Sequence, residues 1–438
     1  MVQHLSSEPN LMTPKRIVLT TIGSLGDLHP YLALALGLRE RGHVPVIATH
    51  AVYREKVESE GVTFAPVAPD LSDFGDEKAF TQKAFALHGG VEYLVRTVVV
   101  EPLRRTYADL DAVVGNNTDL LITHPLTFAA PLIAEKRSVP WLSVALAPAS
   151  FMSAHDPFVF PQAPFISKIQ PVIGAVNFRK LLTLLQKMPY RWTDSVRAFR
   201  VEIGLPASTA DPLFDGFASP FGTLALFSPA LGAPQPDWAA NTTQTGFCFY
   251  DKLAAGNGLS PELLAFLHAG DAPIAFTLGS AAVADAGAFY TESVAAVTAL
   301  GKRALLLTGR NPANVPANLP PPVFAAPYAP FSELFPHCAA IVHQGGVGTT
   351  GEALRSGRPQ LVVPHGFDQP DNAHRMVTRG VGRTLSRYKY NAASVTRELS
   401  ALLADTGYAA RAATLGAQVR GEDGVGAACN AVVAALRL

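Results

Sequence analysis

Arg16-Ile17-Val18-Leu19-Thr20-Thr21-Ile22 runs into the turn Gly23-Ser24-Leu25-Gly26-Asp27, and Leu28 to Arg41 follows with Leu32, Leu34, Ala35 and Leu38 at helical spacing. A β-branched run, a glycine turn and a helix stopped by Gly42 read as strand, turn and helix. Val44 to Thr49 is the next strand, and short apolar runs recur at Asp119–Thr123 and Pro140–Ala145. Strands alternating with helices predict a parallel sheet covered on both faces.

The rhythm breaks between residues 151 and 200, where Pro, Phe and Met gather before a Lys/Arg-flanked apolar stretch at Phe178–Leu185. We read helices and loops inserted over the open edge of the first domain. They form either a lid over an apolar acceptor or a membrane-touching surface, and the sparse positive charge favours the lid. The Pro-rich stretch Ser228 to Trp238 reads as a linker. Beyond it the pattern restarts, with strands at Pro273–Leu278, Arg303–Thr308, Ala339–Val342 and Gln360–Val363 and helices at Tyr290–Leu300 and Thr350–Ser356. The expected organisation is an α/β chain of two doubly wound, parallel-sheet domains facing across a cleft, with ligands at the strand ends. Its domains are 1–228 and 246–438, joined by a linker at 229–245, and the last helix packs back on the first domain.

Composition narrows the function. The chain has 438 residues, and 48% hydrophobic content suits two full cores. Lys plus Arg and Asp plus Glu stand at 35 each, which gives no support for a nucleic-acid partner. Cys248, Cys338 and Cys429 are unpaired in spacing and read as buried thiols of a reducing compartment. The first sixteen residues lack a signal-peptide core and no apolar run is long enough to span a bilayer, so a cytoplasmic location is expected.

His343-Gln344-Gly345-Gly346-Val347-Gly348-Thr349-Thr350, between a strand and a helix, carries the sharpest chemistry. Glycines allow close backbone approach, and a helix start offers free N–H groups and partial positive charge, which suit a phosphate. His343 and the threonine hydroxyls are further candidate donors. The Lys of a P-loop is missing, and Gly23-Ser24-Leu25-Gly26 is not a dinucleotide fingerprint. Asp27 reads both as a candidate general base and as a helix N-cap, with Pro30 in the first turn. His29 is the rival base, while His124 and His155 read as ordinary polar residues. Asp109-Leu110-Asp111 superficially resembles a manganese-binding acidic pair, but it sits in a charged helical stretch with Arg104 and Arg105 and reads as a solvated helix face.

The stretch from Tyr328 to Arg375 includes Leu334-Phe335-Pro336, the His343–Thr350 turn, Gly357-Arg358-Pro359 and Phe367-Asp368-Gln369-Pro370. It resembles the donor-binding signature of nucleotide-sugar glycosyltransferases of the GT-B fold. Gly23 to Pro30 is similar to the first turn of their acceptor domain. The likeness is to the sterol, glycopeptide-antibiotic and rhamnolipid branch, closest to the rhamnosyltransferases of rhamnolipid synthesis. It extends through Ala233-Pro234, Asp237-Trp238, Thr245-Gly246-Phe247 and Ala326-Pro327-Tyr328-Ala329-Pro330.

The resemblance implies an inverting hexosyltransferase using UDP-glucose or dTDP-L-rhamnose, with a hydrophobic hydroxylated acceptor of lipid, polyketide or flavonoid type. It implies Asp27 as the base beside Gly26. It places Gly279, Ser280, His343, Gly345, Gly346, Val347, Gly348, Thr349 and Thr350 around the diphosphate, Tyr328 and Phe324 against the base, and Asp368 and Gln369 on the sugar hydroxyls. No cofactor or metal is expected, and the chain is expected to be a monomer without stable membrane insertion. A nucleotide-sugar epimerase and a non-catalytic nucleotide-binding helper remain alternatives.

Overall fold

The computed structural model describes residues 13–215, 218–251 and 258–437. Its first sheet holds β1 (Arg16–Thr20), β2 (Val44–Thr49), β3 (Thr63–Pro66), β4 (Leu120–Thr123), β5 (Trp141–Ala145), β6 (Thr223–Ala225) and β7 (Thr242–Gln244). Their order is β3-β2-β1-β4-β5-β6-β7, all parallel. The second sheet holds β8 (Ile274–Thr277), β9 (Ala304–Leu307), β10 (Val323–Ala326), β11 (Ala340–His343), β12 (Gln360–Val362) and β13 (Gly382–Thr384). It runs β10-β9-β8-β11-β12-β13, again parallel. Central strands such as Ile17–Leu19, Leu120–Ile122 and Ala340–Val342 are completely buried. A parallel sheet with helices on both faces has this consequence.

In each sheet the strand order reverses once, between β1 and β4 and between β8 and β11. Crevices open at such switch points, at the carboxyl ends of the strands. Four turns therefore converge on the cleft, after Thr20, Thr123, Thr277 and His343.

Helix α1 (Leu25–Glu40) starts three residues earlier than its apolar spacing predicts. Ser24 is its N-cap, and Asp27 is the third helical residue rather than the cap. Pro30 correspondingly lies inside the helix, beyond the first turn. The buried residues of α1 (Leu28, Tyr31, Leu32, Ala33, Leu34, Ala35 and Leu38) surround most of its circumference. It is apolar on two sides because it is enclosed by the first sheet and by the final helix, Gly424–Ala435, whose Cys429, Val432 and Ala435 join the same core.

The segment expected as linker, 229–245, ends in β7 of the first sheet, so the crossing lies beyond Gln244. A second strap runs the other way. Phe85, from the first half of the chain, is buried in the core of the second domain against Phe367, with ring centroids 4.8 Å apart.

Gly37 is where the final helix closes on α1. A Cβ there would lie 2.7 Å from Val425 Cγ1 and 2.9 Å from Cys429 Sγ. Gly37→Val overpacks this contact by three carbons, which outweighs the few tenths of a kcal/mol that valine gains over glycine in helix propensity. We expect a loss of about 2–3 kcal/mol, measured by urea unfolding. An unchanged midpoint would show that the two helices are not packed at this point.

Candidate active site

The turn after β1 is built around a carboxylate folded back on its own helix start. Gly23 has φ +126°, and a Cβ on it would lie 2.3 Å from Asp27 Oδ2, so glycine is required. Asp27 Oδ2 accepts from Ser24 N at 2.7 Å and from Ser24 Oγ at 3.2 Å. The turn is pinned from outside as well. Gly23 N donates to His50 Nε2 at 3.2 Å, and Tyr53 OH donates to the Gly23 carbonyl at 2.9 Å.

The other oxygen, Asp27 Oδ1, stands 3.5 Å from His124 Nε2 at the end of β4. His124 Nδ1 accepts from Leu126 N at 3.2 Å, which assigns the ring hydrogen to Nε2, facing the carboxylate. In the sequence His124 reads as an ordinary polar residue; the fold makes it the neighbour of Asp27. His29, two residues on and so about 200° round the helix, points elsewhere. It packs against Tyr250 with ring centroids 5.1 Å apart, and burial, helped by Lys56, lowers its pKa to about 3. The structure does not bring His29 to the carboxylate.

The turn after β11 faces this one. Gly345 has φ +90°, and a Cβ there would lie 2.8 Å from Val362 Cγ1 and 3.1 Å from the Gln369 carbonyl. Gly346 caps the helix Val347–Ser356 without any side-chain hydrogen bond, so its first-turn N–H groups are left for a ligand. Thr350 Oγ1 is buried without a partner. A Cβ on Gly348 would lie 3.8 Å from Gly26 Cα, so the first turns of the two helices meet across the cleft.

His343 has a different place from the phosphate donor expected of it. Its Nδ1 accepts from Gly345 N at 3.1 Å and its Nε2 bonds Gln360 Oε1 at 2.9 Å. Wholly buried, with its pKa lowered by burial to about 4, it shapes the turn and has no N–H left over. Gln344 is the residue the sequence did not single out as a site residue. Its amide lies between the two glycine turns, close enough that a Cβ would be 2.2 Å from its Nε2 at Gly279 and 2.9 Å at Gly346. Ser280, beside Gly279, is exposed.

Asp368 occupies the N-cap position of the helix Gln369–Thr378 but makes no cap hydrogen bond. The residue before it, Phe367, has φ +56°, a strained conformation for an aromatic side chain. Asp368 Oδ2 accepts from Asn372 Nδ2 at 2.7 Å. Burial pushes its pKa up to about 7, against the pull of Asn372 and with further help from the charge of Asp27. The two carboxylates, one from each domain, thus feel one another across the cleft. Gln369 Oε1 accepts from His365 N and Gly366 N at 2.8 and 3.2 Å, which commits the oxygen and leaves the Nε2 donor for a ligand.

Tyr328 is 66% exposed in the loop after β10. Phe324 instead packs on Phe266, with ring centroids 5.3 Å apart and planes tilted by 35°, as part of the core beneath β9 and β10. Near Tyr328 the sequence reading missed Glu352, whose Oε2 is buried without a partner. Its pKa rises to about 7, chiefly by burial, with Arg355 pulling it down. Its signal in the sequence is only its place in the helix that starts at Val347. Asp109 accepts from Ala68 N at 3.0 Å and Asp111 pairs with Arg137, so both acids of the manganese-like motif have protein partners. Among the described residues no group of three His, Cys, Asp or Glu is placed to hold a metal.

Residues 17–154 match the glycosyltransferase family 28 N-terminal domain, and residues 293–425 match the erythromycin biosynthesis protein CIII-like C-terminal domain. The O-mycaminosyltylonolide 6-deoxyallosyltransferase of Streptomyces fradiae is 30% identical over 94% of this chain and 96% of its own length. The chain belongs to the EryCIII-like, family 28 glycosyltransferases. It is an enzyme that uses a nucleoside-diphosphate sugar. A sterol 3-beta-glucosyltransferase of Aspergillus oryzae is also 30% identical over 95% of the chain, which spans 30% of that longer relative. In fold, this glycosyltransferase is similar to the glycosyltransferase of kitacinnamycin (TM-score 0.72, 21% identity, 97% and 100% of the two chains). It is likewise similar to a spinosyn rhamnosyltransferase complexed with thymidine diphosphate (TM-score 0.64, 18% identity, 93% and 96%).

The raised pKa of Asp368 has a sign that can be measured. A carboxyl lifted from 3.8 to about 7 favours the fold below about pH 4, and that contribution is lost as pH rises toward 7. Asp368→Asn removes the titration. We expect the variant to exceed the parent in unfolding free energy at about pH 8 but not at about pH 4.5. Equal pH dependence in both proteins would mean that Asp368 is not buried as described.

Proposed function

We propose that this glycosyltransferase inverts the anomeric centre of a UDP- or dTDP-linked hexose as it transfers the sugar to a hydroxyl of a hydrophobic small molecule. The observation that carries the reading is Asp27 Oδ1, held beside His124 at the point where two helix starts converge. A base there takes the proton from the acceptor hydroxyl as its oxygen attacks the anomeric carbon. The nucleoside diphosphate leaves on the opposite side, its growing charge met by the free N–H groups of residues 346–349 and by Thr350 Oγ1. Asp368 and Gln369 Nε2 orient the sugar hydroxyls. The partnerless Glu352 oxygen, next to Tyr328, suits the ribose hydroxyls while Tyr328 covers the base.

We place the acceptor against the ends of β1, β2 and β4. A small cavity there, about 20 Å³, is walled by Ile22, Val67, Val99, Leu103, Leu126 and Phe128 among others. Thr20, Thr21, His50, Thr106 and Thr127 share that wall, and the space is about that of one water. The cavity therefore marks only an apolar corner against which a lipid, polyketide or sterol-like skeleton, the rhamnolipid precursors included, would rest. The relatives support the class: one is named for a deoxyhexose on a macrolide and another for glucose on a sterol. The same proposal takes the enzyme to act without a metal, as a monomer, in the cytoplasm.

Asp27→Asn is expected to leave dTDP or UDP affinity nearly unchanged while lowering transfer by about 10²–10⁴, read by calorimetry and by single-turnover product formation. Undiminished transfer would move the proton acceptor elsewhere. His124→Ala removes the ring N–H that stands 3.5 Å from Asp27 Oδ1, a contact that becomes a charge-assisted hydrogen bond worth about 1.5–3 kcal/mol by tightening during transfer. We therefore expect kcat about ten- to a hundredfold lower. A change confined to KM would give His124 a binding role instead.

A further inference from the structure

The insert at 151–200 leaves an uncovered surface that the transfer chemistry does not use. The helical segment Gln170–Gln186 is broken at Gly174 (φ +75°), and its longer second part turns Phe178 and Leu182 inward, wholly buried against Ala154. Its outer face is also apolar. Val176, Leu184 and, just past the helix end, Met188 are 75%, 63% and 77% exposed. Together with Lys180 they recur every fourth residue, which sets them in one line along the helix. Val172 at 84% and Phe165 at 63% stand exposed just before them. Soluble surfaces rarely collect large apolar side chains in this way without a partner.

Charge says which partner: the cations that look sparse along the sequence, Lys168, Lys180, Lys187 and Arg191, all stand exposed, which gives the expected lid a second, membrane-facing side. From Pro157 to Thr193 there is no Asp or Glu, whereas Lys168, Arg179, Lys180, Lys187 and Arg191 all carry positive charge. Arg179 is paired with Asp237; Lys168, Lys180, Lys187 and Arg191 make no ion pair among the described residues. Lysines interleaved with exposed valine, leucine and methionine match a layered partner, with anionic groups outside and hydrocarbon beneath. Lysine stems can lie along apolar surface while their heads reach the charged layer. No helix among the described residues is long and apolar enough to cross a membrane, so the contact is with a surface.

We propose that Phe165, Val172, Val176, Leu184 and Met188, flanked by Lys168, Lys180 and Lys187, dock this enzyme on an anionic lipid surface. The same insert is tied to the second domain near the cleft. Val159 N donates to Asp371 Oδ1 at 3.1 Å, and Arg375 bridges Asp371 and Asp156 at 2.8 and 2.6 Å. A bilayer under the helix therefore lies close to the catalytic groove, where a lipophilic acceptor can be taken up. Docking stands on exposure and charge alone; a failure of the transfer reading leaves it intact.

The test is co-sedimentation of the full chain with vesicles of phosphatidylcholine alone and of phosphatidylcholine with phosphatidylglycerol, at low and high salt. Binding is expected to the phosphatidylglycerol vesicles and to weaken with salt. It should fall at least tenfold in Lys180→Glu/Lys187→Glu, and also in Val176→Ser/Leu184→Ser. Both pairs are exposed, so both variants should keep the parent's circular dichroism and Tm. Absence of vesicle binding, or equal binding by the parent and both variants, overturns the proposal. So does a dimer in sedimentation equilibrium that Val176→Ser/Leu184→Ser dissociates, since the face would then belong to a second copy of the chain.

Discussion

Two helices from different domains begin at the same place, and much of the site follows from that. Gly26 and Gly348 mark the approach: a Cβ on Gly348 would lie 3.8 Å from Gly26 Cα, in ordinary van der Waals contact, so the first turns of α1 and of helix Val347–Ser356 are neighbours. Each start carries a partial positive charge. At α1 that charge is met by the Asp27 carboxylate, whereas the start of Val347–Ser356 has no side-chain cap and is left for an anion. The same approach brings Asp27 toward Asp368, an arrangement of like charges in a partly desolvated cleft. Burial first, and the charge of Asp27 in addition, hold the proton on Asp368 to about pH 7. The apolar straps oppose the cost of this arrangement: the final helix against α1, and Phe85 in the core of the other domain.

Capping and catalysis by Asp27 are competing readings of one residue in the sequence, yet the geometry lets them coexist. One carboxylate oxygen closes the capping box with Ser24, and the other is turned toward His124. Gly23 makes this possible, because any Cβ there would occupy the space of the capping oxygen. The cap fixes the direction of the second oxygen. A side chain held at one end has less freedom to lose when it meets a substrate.

How much of this the sequence reveals depends on where a residue's role originates. Central strands such as β1, β4 and β11 are buried on both faces and so read as continuous apolar runs. Three of the four edge strands do not: β3, β7 and β13 spell Thr-Phe-Ala-Pro, Thr-Thr-Gln and Gly-Arg-Thr, while β10, Val-Phe-Ala-Ala, is apolar but, like them, partly exposed. Their pairing comes from the neighbouring strand rather than from their own composition. In the site, glycines and the Asp27 and Asp368 carboxylates stand out because few residue types can do what they do. His124, Gln344 and Glu352 do not stand out. Their meaning comes from what another segment places beside them, as β4 places His124 beside Asp27 from far along the chain.

The histidines around the cleft bear on which group can accept a proton. His343 has both ring nitrogens bonded within the protein, and burial holds it near 4. His365, also near 4, is bonded to the Val363 carbonyl, while His50 is bonded to Gly23 N and the Pro69 carbonyl. His29 is lowered further and faces Tyr250. These rings are neutral near pH 7, and their places in the fold are those of supports. His124 turns an N–H toward the cleft, so in this tautomer it donates rather than accepts. Asp368 keeps its proton up to about 7. What is left at the meeting of the two helix starts is the outward oxygen of Asp27. The proposal that it serves as the base follows from what its neighbours are already committed to as much as from its own position.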